Sequence, residues 1–408
     1  MSEPTPVRPL SRFQKWVIAF GLLSMGVGFT ISFVVAPPLA RSAGLTELQV
    51  AGILTISAAL FAFMTPTWGK FANRFGRKRV MVFALFMTAL TNTGFLLSLE
   101  AAMNGVVVGM HAFFLLMSAR TLFGLLSSGL QPAAFSAMTD ATTPHDRAAG
   151  LGFLGAAMSV GSILGPGAAA VLAKFGALAP LWGSIVFTVV CGLIILFSLP
   201  AETSDAKTQK PKPLELTDKR VRPYLIFLVS YFMAVACVQQ TIAWFVSDRF
   251  GFEGAKAVEN GGLVFAVMAV AMVLVQTFYV NRLKPDPHFM LPTGLVLVAI
   301  GYGTAIPHAP FVFLCMSFLV MGAGSALIVP SLNALGTLSV DAHEQGGAGA
   351  LMAAAPPAGF VVGPLIGAGL YMVHNDLPLT ISTIAMVVLF LTALTVLRRG
   401  RNKEVQTS

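Results

Sequence analysis

Charge is scarce in this chain, and acid is scarcer than base: 408 residues carry 26 Lys and Arg against 17 Asp and Glu, together 11% of the whole. No Asp or Glu falls clearly in the middle of a long apolar run. A membrane-embedded enzyme would need acids and histidines converging within such runs, and the sequence offers no such set. A pore-lining ring of charge, as channels use, is missing too. No Gly-rich loop of the phosphate-cradling type occurs, so neither a bound nucleotide nor any other cofactor is implied, and an ion gradient remains as the energy source. Of only three cysteines, Cys191, Cys237 and Cys315, each lies in an apolar run without a Cys or His at ligand spacing. They read as buried thiols, neither metal ligands nor disulfides. Long polar segments are also lacking. The longest, Pro200 to Pro223, is too short for a soluble catalytic module.

What is present is hydrocarbon. Hydrophobic residues make up 56% of the chain, and the mean hydropathy is +0.80. About 20 apolar residues cross a bilayer, and twelve such runs begin near Trp16, Leu48, Val80, Val106, Ala148, Leu178, Tyr224, Gly261, Phe289, Phe311, Gly347 and Leu377. The expected class is an all-α integral membrane protein. The first run, Trp16 to Ala40, is too long for a signal h-region and reads as a retained helix. With both termini cytoplasmic, all Lys and Arg except Arg41, Lys174, Arg249, Lys256 and the intramembrane Arg120 fall on the inner side. The opposite orientation inverts that bias and loses. The net charge of +9 therefore reports topology in the lipid bilayer, with no nucleic acid implied. The Lys-rich stretch 200–223 is expected to link an N-terminal six-helix bundle, 1–199, to a C-terminal one, 224–408, that ends in a short cytoplasmic tail.

The two halves repeat. One ungapped shift superposes Gly124 on Gly322, Pro132 on Pro330, Gly161 on Gly359, Gly165 on Gly363 and Pro166 on Pro364. Parallel repeats of this kind can rock about a central site. Around the same glycines, Ala157, Gly161, Gly165 and Ala169 recur at four-residue spacing, as do Ala355, Gly359, Gly363 and Gly367. Residues four apart share a helix face, so each stripe lets another backbone come close. Pro166 and Pro364 each remove a backbone donor and allow a kink.

The connection after the second run reads Gly69-Lys70-Phe71-Ala72-Asn73-Arg74-Phe75-Gly76-Arg77-Lys78-Arg79. Such a cluster of cations cannot enter hydrocarbon and marks a tight cytoplasmic turn. It resembles the signature between helices two and three of the major facilitator superfamily, Gly-x-Leu-Ala-Asp-Arg-x-Gly-Arg-Arg, with Asn73 where that pattern has Asp. The resemblance implies twelve helices in two pseudo-symmetric bundles and alternating access. It also implies a conformational latch formed by Gly69, Asn73, Arg74, Gly76, Arg77, Lys78 and Arg79. Asn73 adds no charge to that latch, so Asp140 or Asp146 is expected to supply the acid. Gly161-Ser162-Ile163-Leu164-Gly165-Pro166-Gly167 resembles the fifth-helix antiporter motif of exporters in that superfamily, and Pro37-Pro38 a proline pattern of its twelve-helix drug/proton antiporters. Gly359, Gly363 and Pro364 are the repeat's copy of the motif.

Arg120 lies about 21 Å along its run from Val106 at 1.5 Å per residue. A central Arg costs about 2.5 to 3.5 kcal/mol on insertion scales, so it should face the bundle interior or a wet cavity and pair with an acceptor. Arg120-Thr121-Leu122-Phe123-Gly124 resembles the superfamily's fourth-helix Arg-x-x-x-Gly element, whose Arg is associated with proton transfer. A structural pin between helices is the alternative. Arg cannot release a proton near neutrality, so a coupling role must act through neighbours. Other proton-coupling candidates are Glu47, Asp140 and Asp146 at helix ends, and His111. Helices 1, 4, 7 and 10 line the cavity by resemblance, which nominates Phe29, Ser32, Phe33, Gln131, Gln239, Gln240, Trp244 and Asn333. Aromatic walls with sparse amides suit an amphiphilic organic molecule, and 19 methionines would allow an adaptable pocket. The expectation is a monomeric, proton-coupled exporter of a drug or an endogenous metabolite such as a siderophore, in the cytoplasmic membrane. A facilitator-type nutrient importer on the same fold is the alternative.

Overall fold

A computed structural model of the chain describes residues 10–142, 147–200, 215, 217–341, 344–353 and 355–407. Among them are twelve helices long and apolar enough to cross a membrane, and no strand. The first six are α1 (Arg12–Ser42), α2 (Glu47–Phe75), α3 (Arg77–Met103), α4 (Gly109–Asp140), α5 (Arg147–Leu172) and α6 (Ala179–Ser198). The others are α7 (Arg222–Phe250), α8 (Gly254–Leu283), α9 (Pro287–Ala305), α10 (Phe311–Leu338), α11 (Gln345–Ala353 and Ala355–Val373) and α12 (Leu377–Thr407). The chain forms two compact units, the first running to residue 209 and including 253–259, the second holding the remainder. Most of the stretch 200–223 lies outside the described residues, as does Asp146.

Local sequence sets the helix ends. Capping boxes open α1 (Ser11 with Gln14) and α2 (Thr46 with Gln49), each satisfying two backbone donors reciprocally. Between α2 and α3 the chain turns on one residue, Gly76, at φ 94°, where a side chain would be strained. Gly251, in the left-handed region, ends α7. Inside the helices, hydroxyls return to the preceding turn, as in Thr88 Oγ1 to the Ala84 carbonyl (2.7 Å) and Ser331 Oγ to the Leu327 carbonyl (2.6 Å). Where lipid offers no partner, that bond satisfies the hydroxyl within its own helix.

The glycine stripes make the close approaches their spacing implies. In the first unit α5 packs on α1, and a Cβ on Gly161 would stand 2.1 Å from the Leu23 carbonyl oxygen. One on Gly165 would stand 2.1 Å from Thr30 Oγ1, and one on Gly26, facing them, 2.3 Å from the Met158 carbonyl oxygen. In the second unit α11 packs on α7 in the same way. There a Cβ on Gly359 would meet the Met233 amide nitrogen at 2.7 Å, and one on Gly363 the Met233 carbonyl oxygen at 2.6 Å. Gly124 and its copy Gly322 press on the backbones of α2 and α8, 2.6 Å from the Ser57 oxygen and 2.1 Å from the Met268 oxygen by the same measure. The sequence repeat is thus a repeat of helix crossings.

The copies differ where helices deform. Helix α5 continues through Pro166 and α11 through Pro364. The interruption falls in α4, at Ser128-Gly129, whereas α10 is continuous through Pro330. At the break the Leu125 carbonyl accepts the indole N–H of Trp68 from α2 (2.7 Å). Pro132 then sits in the first turn of the resumed helix, where its missing N–H costs nothing. In the second unit the deformation is a π-helical stretch, Val275–Val280, in α8.

Gly161→Ala forces a methyl into the α1 backbone and is expected to destabilise the protein by about 1–3 kcal/mol. Gly155→Ala, on the same helix with nothing within 4 Å of its added Cβ, serves as the control. Detergent melting curves check both. Equal melting temperatures for the two variants would contradict the crossing.

Candidate functional site

Arg120 stands about 17 Å along α4 from Gly109 at 1.5 Å per residue. Its residue exposure is 3%. Nη2 donates to Ser32 Oγ of α1 at 2.8 Å, and Nη1 to Asn92 Oδ1 of α3 at 3.4 Å. The guanidinium carbon lies 3.9 Å from the centre of the Phe95 ring and 5.5 Å from that of Phe123. Ring faces carry negative potential, so they offset part of the desolvation. Nε has no partner among the described residues. One side chain therefore ties α1, α3 and α4 together through neutral acceptors. Asn92, missed at the level of sequence because acids were sought as partners, is an uncharged polar residue near mid-helix and could have been found by that criterion.

At the end of the unit that carries the basic connection, Arg77 pairs with Asp140, Nη2 to Oδ2 at 2.5 Å. Side-chain exposures of 6% and 14% make this a largely buried pair, joining the start of α3 to the end of α4. Lys78 donates to the carbonyl of Leu199, just beyond α6. Arg74 lies 5.4 Å from the Phe75 ring centre and is exposed, as are Asn73 and Arg79. Gly69 is half-buried and Gly76 is buried at the turn. Of the two acids nominated as partners of this connection, Asp140 is in place.

The remaining candidates scatter. Glu47 pairs with Arg41 at 3.2 Å, at the α1–α2 connection. His111 is exposed, the third residue of α4. On α1, Phe29 and Phe33 are neighbours with ring centres 5.0 Å apart, beside the Arg120-bound Ser32. Gln131 is half-buried just past the α4 break. In the second unit Gln239 and Gln240 are buried, and both amide atoms of Gln240 have no partner among the described residues. Trp244 is buried against Tyr371, ring centres 5.7 Å apart, and Asn333 is exposed. The motif residues Gly161, Gly165, Pro166, Gly359, Gly363 and Pro364 are all buried.

The second unit holds two ionic ties that the sequence did not announce. Arg249 at the end of α7 meets Asp376 at 2.5 Å, donates to the carbonyls of Ala305, Ile306 and Pro307 at and just past the end of α9, and lies 4.2 Å from the Phe245 ring centre. At the other end of α7, Arg220 meets Asp218 at 2.9 Å and Glu344, before α11, at 2.7 Å. Hydrogen bonds from Arg220 hold the Asp218 carboxyl below its usual 3.8. That contribution is complete above the ordinary carboxylate value and lost as pH falls through the lowered one. In exposed positions it is worth little.

Twelve apolar helices in two units with repeated crossings define a polytopic membrane fold. The chain belongs to the Major Facilitator Superfamily, whose model matches residues 18–291. Multidrug resistance protein 1 of Bacillus subtilis (strain 168) is 25% identical over 373 residues, 89% of this chain and 90% of that protein. Quinolone resistance protein NorA of Staphylococcus aureus (strain N315) is 22% identical over 375 residues, 90% of this chain and 92% of that protein. The solved structure of a bacterial homologue of the human lysosomal transporter Spinster, inward-facing and occupied, superposes with a TM-score of 0.67 at 16% identity, over 97% of this chain and 98% of that one. The family and fold of this chain are those of transporters, not of enzymes.

Alanine at Arg77 or Asp140 strands a buried charge, and each is expected to cost about 3–5 kcal/mol. The double variant should lose clearly less than the sum. Additive losses in a double-mutant cycle read by detergent melting would show the pair to be uncoupled.

Proposed function

We propose that the protein expels a small amphiphilic organic molecule in exchange for protons, by rocker-switch alternating access. The moving parts are two six-helix bundles, 1–199 and 224–408, joined by 200–223. The observation that carries this reading is the seating of the α5 glycine-proline motif on the α1 backbone, with its copy on α7. The relatives named for multidrug and quinolone resistance support efflux as the direction. A drug or the cell's own metabolite, such as a siderophore, is the cargo. The protein works as a monomer in the cytoplasmic (inner) membrane with both termini on the cytoplasmic side, an orientation supported by the cation bias of its connections.

Proton coupling in this reading runs through pairing. Arg120 keeps its charge and acts on neighbours electrostatically. Asp140 holds Arg77 while ionised, so its protonation dissolves the tie between α3 and α4 and frees the basic connection to rearrange. Gly69, Gly76 and the cations around Asn73 form the latch that this pair sets. Glu47, already paired with Arg41, and exposed His111 are secondary proton sites. Phe29, Phe33, Gln131, Gln239, Gln240, Trp244 and Asn333 contact cargo at different stages of the cycle.

Everted vesicles loaded with a pH-sensitive dye test the coupling. Adding a cargo compound such as a quinolone, an aromatic carboxylic acid, should release internal protons with wild-type protein, and Arg120→Ala should abolish the signal. Identical responses would remove Arg120 from coupling. Asn73→Asp, which restores a charge to the latch, is expected to favour the outward-facing state and to slow labelling of cysteines placed on the cytoplasmic side. Unchanged labelling would contradict the latch.

A further inference from the structure

Every Asp and Glu of the sequence lies in a terminus, a connection or the terminal two turns of a helix. Glu47, Asp140, Asp248 and Asp376, at helix ends, are each engaged, with Arg41, Arg77, Tyr371 and Arg249 respectively. The middle of the spans holds one formal charge, and it is positive. Around Arg120 both protein acceptors are neutral, and no carboxylate lies within 4.0 Å among the described residues. A guanidinium has five N–H donors. Two hydrogen bonds are made here, one of them long at 3.4 Å, and Nε is buried without a partner among the described residues. A charge so desolvated calls for a counter-charge, and none of the described residues places one beside it. A cationic cargo would leave that demand unmet and be repelled. An anionic one would satisfy it.

We infer that the cargo is an amphiphilic organic anion whose carboxylate, sulfonate or phosphate oxygens are bound by the Arg120 guanidinium, with Asn92 and Ser32 beside it. The donor fork suits a two-oxygen headgroup. The Asn92 amide adds N–H donors, and the rings of Phe95, Phe123, Phe29 and Phe33 along the same three helices provide contact area for an apolar body. Asn92 and Ser32 are positioning residues as well: they hold the guanidinium plane while Phe95 backs it. This deepens the transport reading and rests on it for the access of a ligand to a residue only 3% exposed. It also reassigns the multidrug theme, since charge sign and not size alone selects the cargo.

The test uses three probes sharing one aromatic body: 1-pyrenebutyrate, its methyl ester and 1-pyrenemethylammonium. Binding to the purified full-length protein in maltoside micelles is read by energy transfer from tryptophan, with protein-free micelles subtracted. Wild type should bind the butyrate in preference to the other two. Arg120→Gln should weaken butyrate binding about tenfold to a hundredfold, the range of a lost hydrogen bond to a charged group, and leave the ester unchanged. Arg120→Lys should restore part of the preference. Asn92→Asp decides the matter if the Arg120 variants do not fold. It places an acid beside the guanidinium, so it should raise the melting temperature yet weaken butyrate binding to the same degree, a split that a purely structural Arg120 would not produce. Equal or tighter binding of the ammonium by wild type, no protein-dependent butyrate binding, or butyrate affinity unchanged in Asn92→Asp would overturn the inference. Because no gradient is present, butyrate binding without proton release in vesicles would sink the coupled-export reading and not the charge preference.

Discussion

Backbone-to-backbone contact at glycine is the constraint on which the rest of the structure hangs. In lipid, no hydrophobic force pulls one helix to another, since the surrounding chains are as apolar as leucine, and cohesion comes from van der Waals packing. Such packing falls off steeply with distance, so helices must approach until backbones touch. Gly161, Gly165 and Gly26 allow this between α1 and α5, and Gly359, Gly363 and Gly367 between α7 and α11. The tight crossing also fixes where the polar residues of α1 lie. Ser32 is held on the Arg120 side of α1, while Thr30, on the α5 side, turns its hydroxyl back to the Gly26 carbonyl.

Within the first unit, the ionic groups divide by depth. At the helix ends acids and bases meet: Arg77 with Asp140, Arg41 with Glu47. In the interior a single cation is held by an amide, a hydroxyl and aromatic faces. The difference follows from solvation. A carboxylate at a helix end keeps some contact with water and with the positive connection, whereas a second ion in the interior would add its own desolvation. The break in α4 lies between these two regimes, its freed carbonyl capped by Trp68, so the segment carrying Asp140 is connected to the segment carrying Arg120 by a discontinuous backbone.

The two units share crossings but not ionic ties. The first closes one end with Arg77 and Asp140 on its own α3 and α4. The second, whose corresponding connection has only Arg282 and Lys284, instead uses Arg220 before α7 to hold Glu344 before α11. At the opposite end of α7, Arg249 gathers Asp376 and three carbonyls. Duplicated packing with diverged charge is what separate demands produce: packing must satisfy the bilayer in both halves alike, and charge need only satisfy its local surroundings.

The amino-acid order alone settled the twelve spans, the family likeness and the glycine crossings, because hydropathy, the loop from Gly69 to Arg79 and four-residue spacing are local patterns. Asp140 could be named only together with Asp146 as an acid for the basic connection, since both lie beside the neighbouring connection, and the fold placed Asp140 on Arg77. Tertiary structure decided which residues meet across helices. That Arg120 rests on Asn92 and Ser32 instead of an acid, that α4 breaks at Ser128-Gly129 and not α5 at Pro166, and that Trp244 packs on Tyr371 depend on side chains from helices far apart in sequence. Periodicity tells which face of a helix is buried. Only the relative rotation and height of neighbouring helices, fixed by the sum of their contacts, tells what that face is buried against.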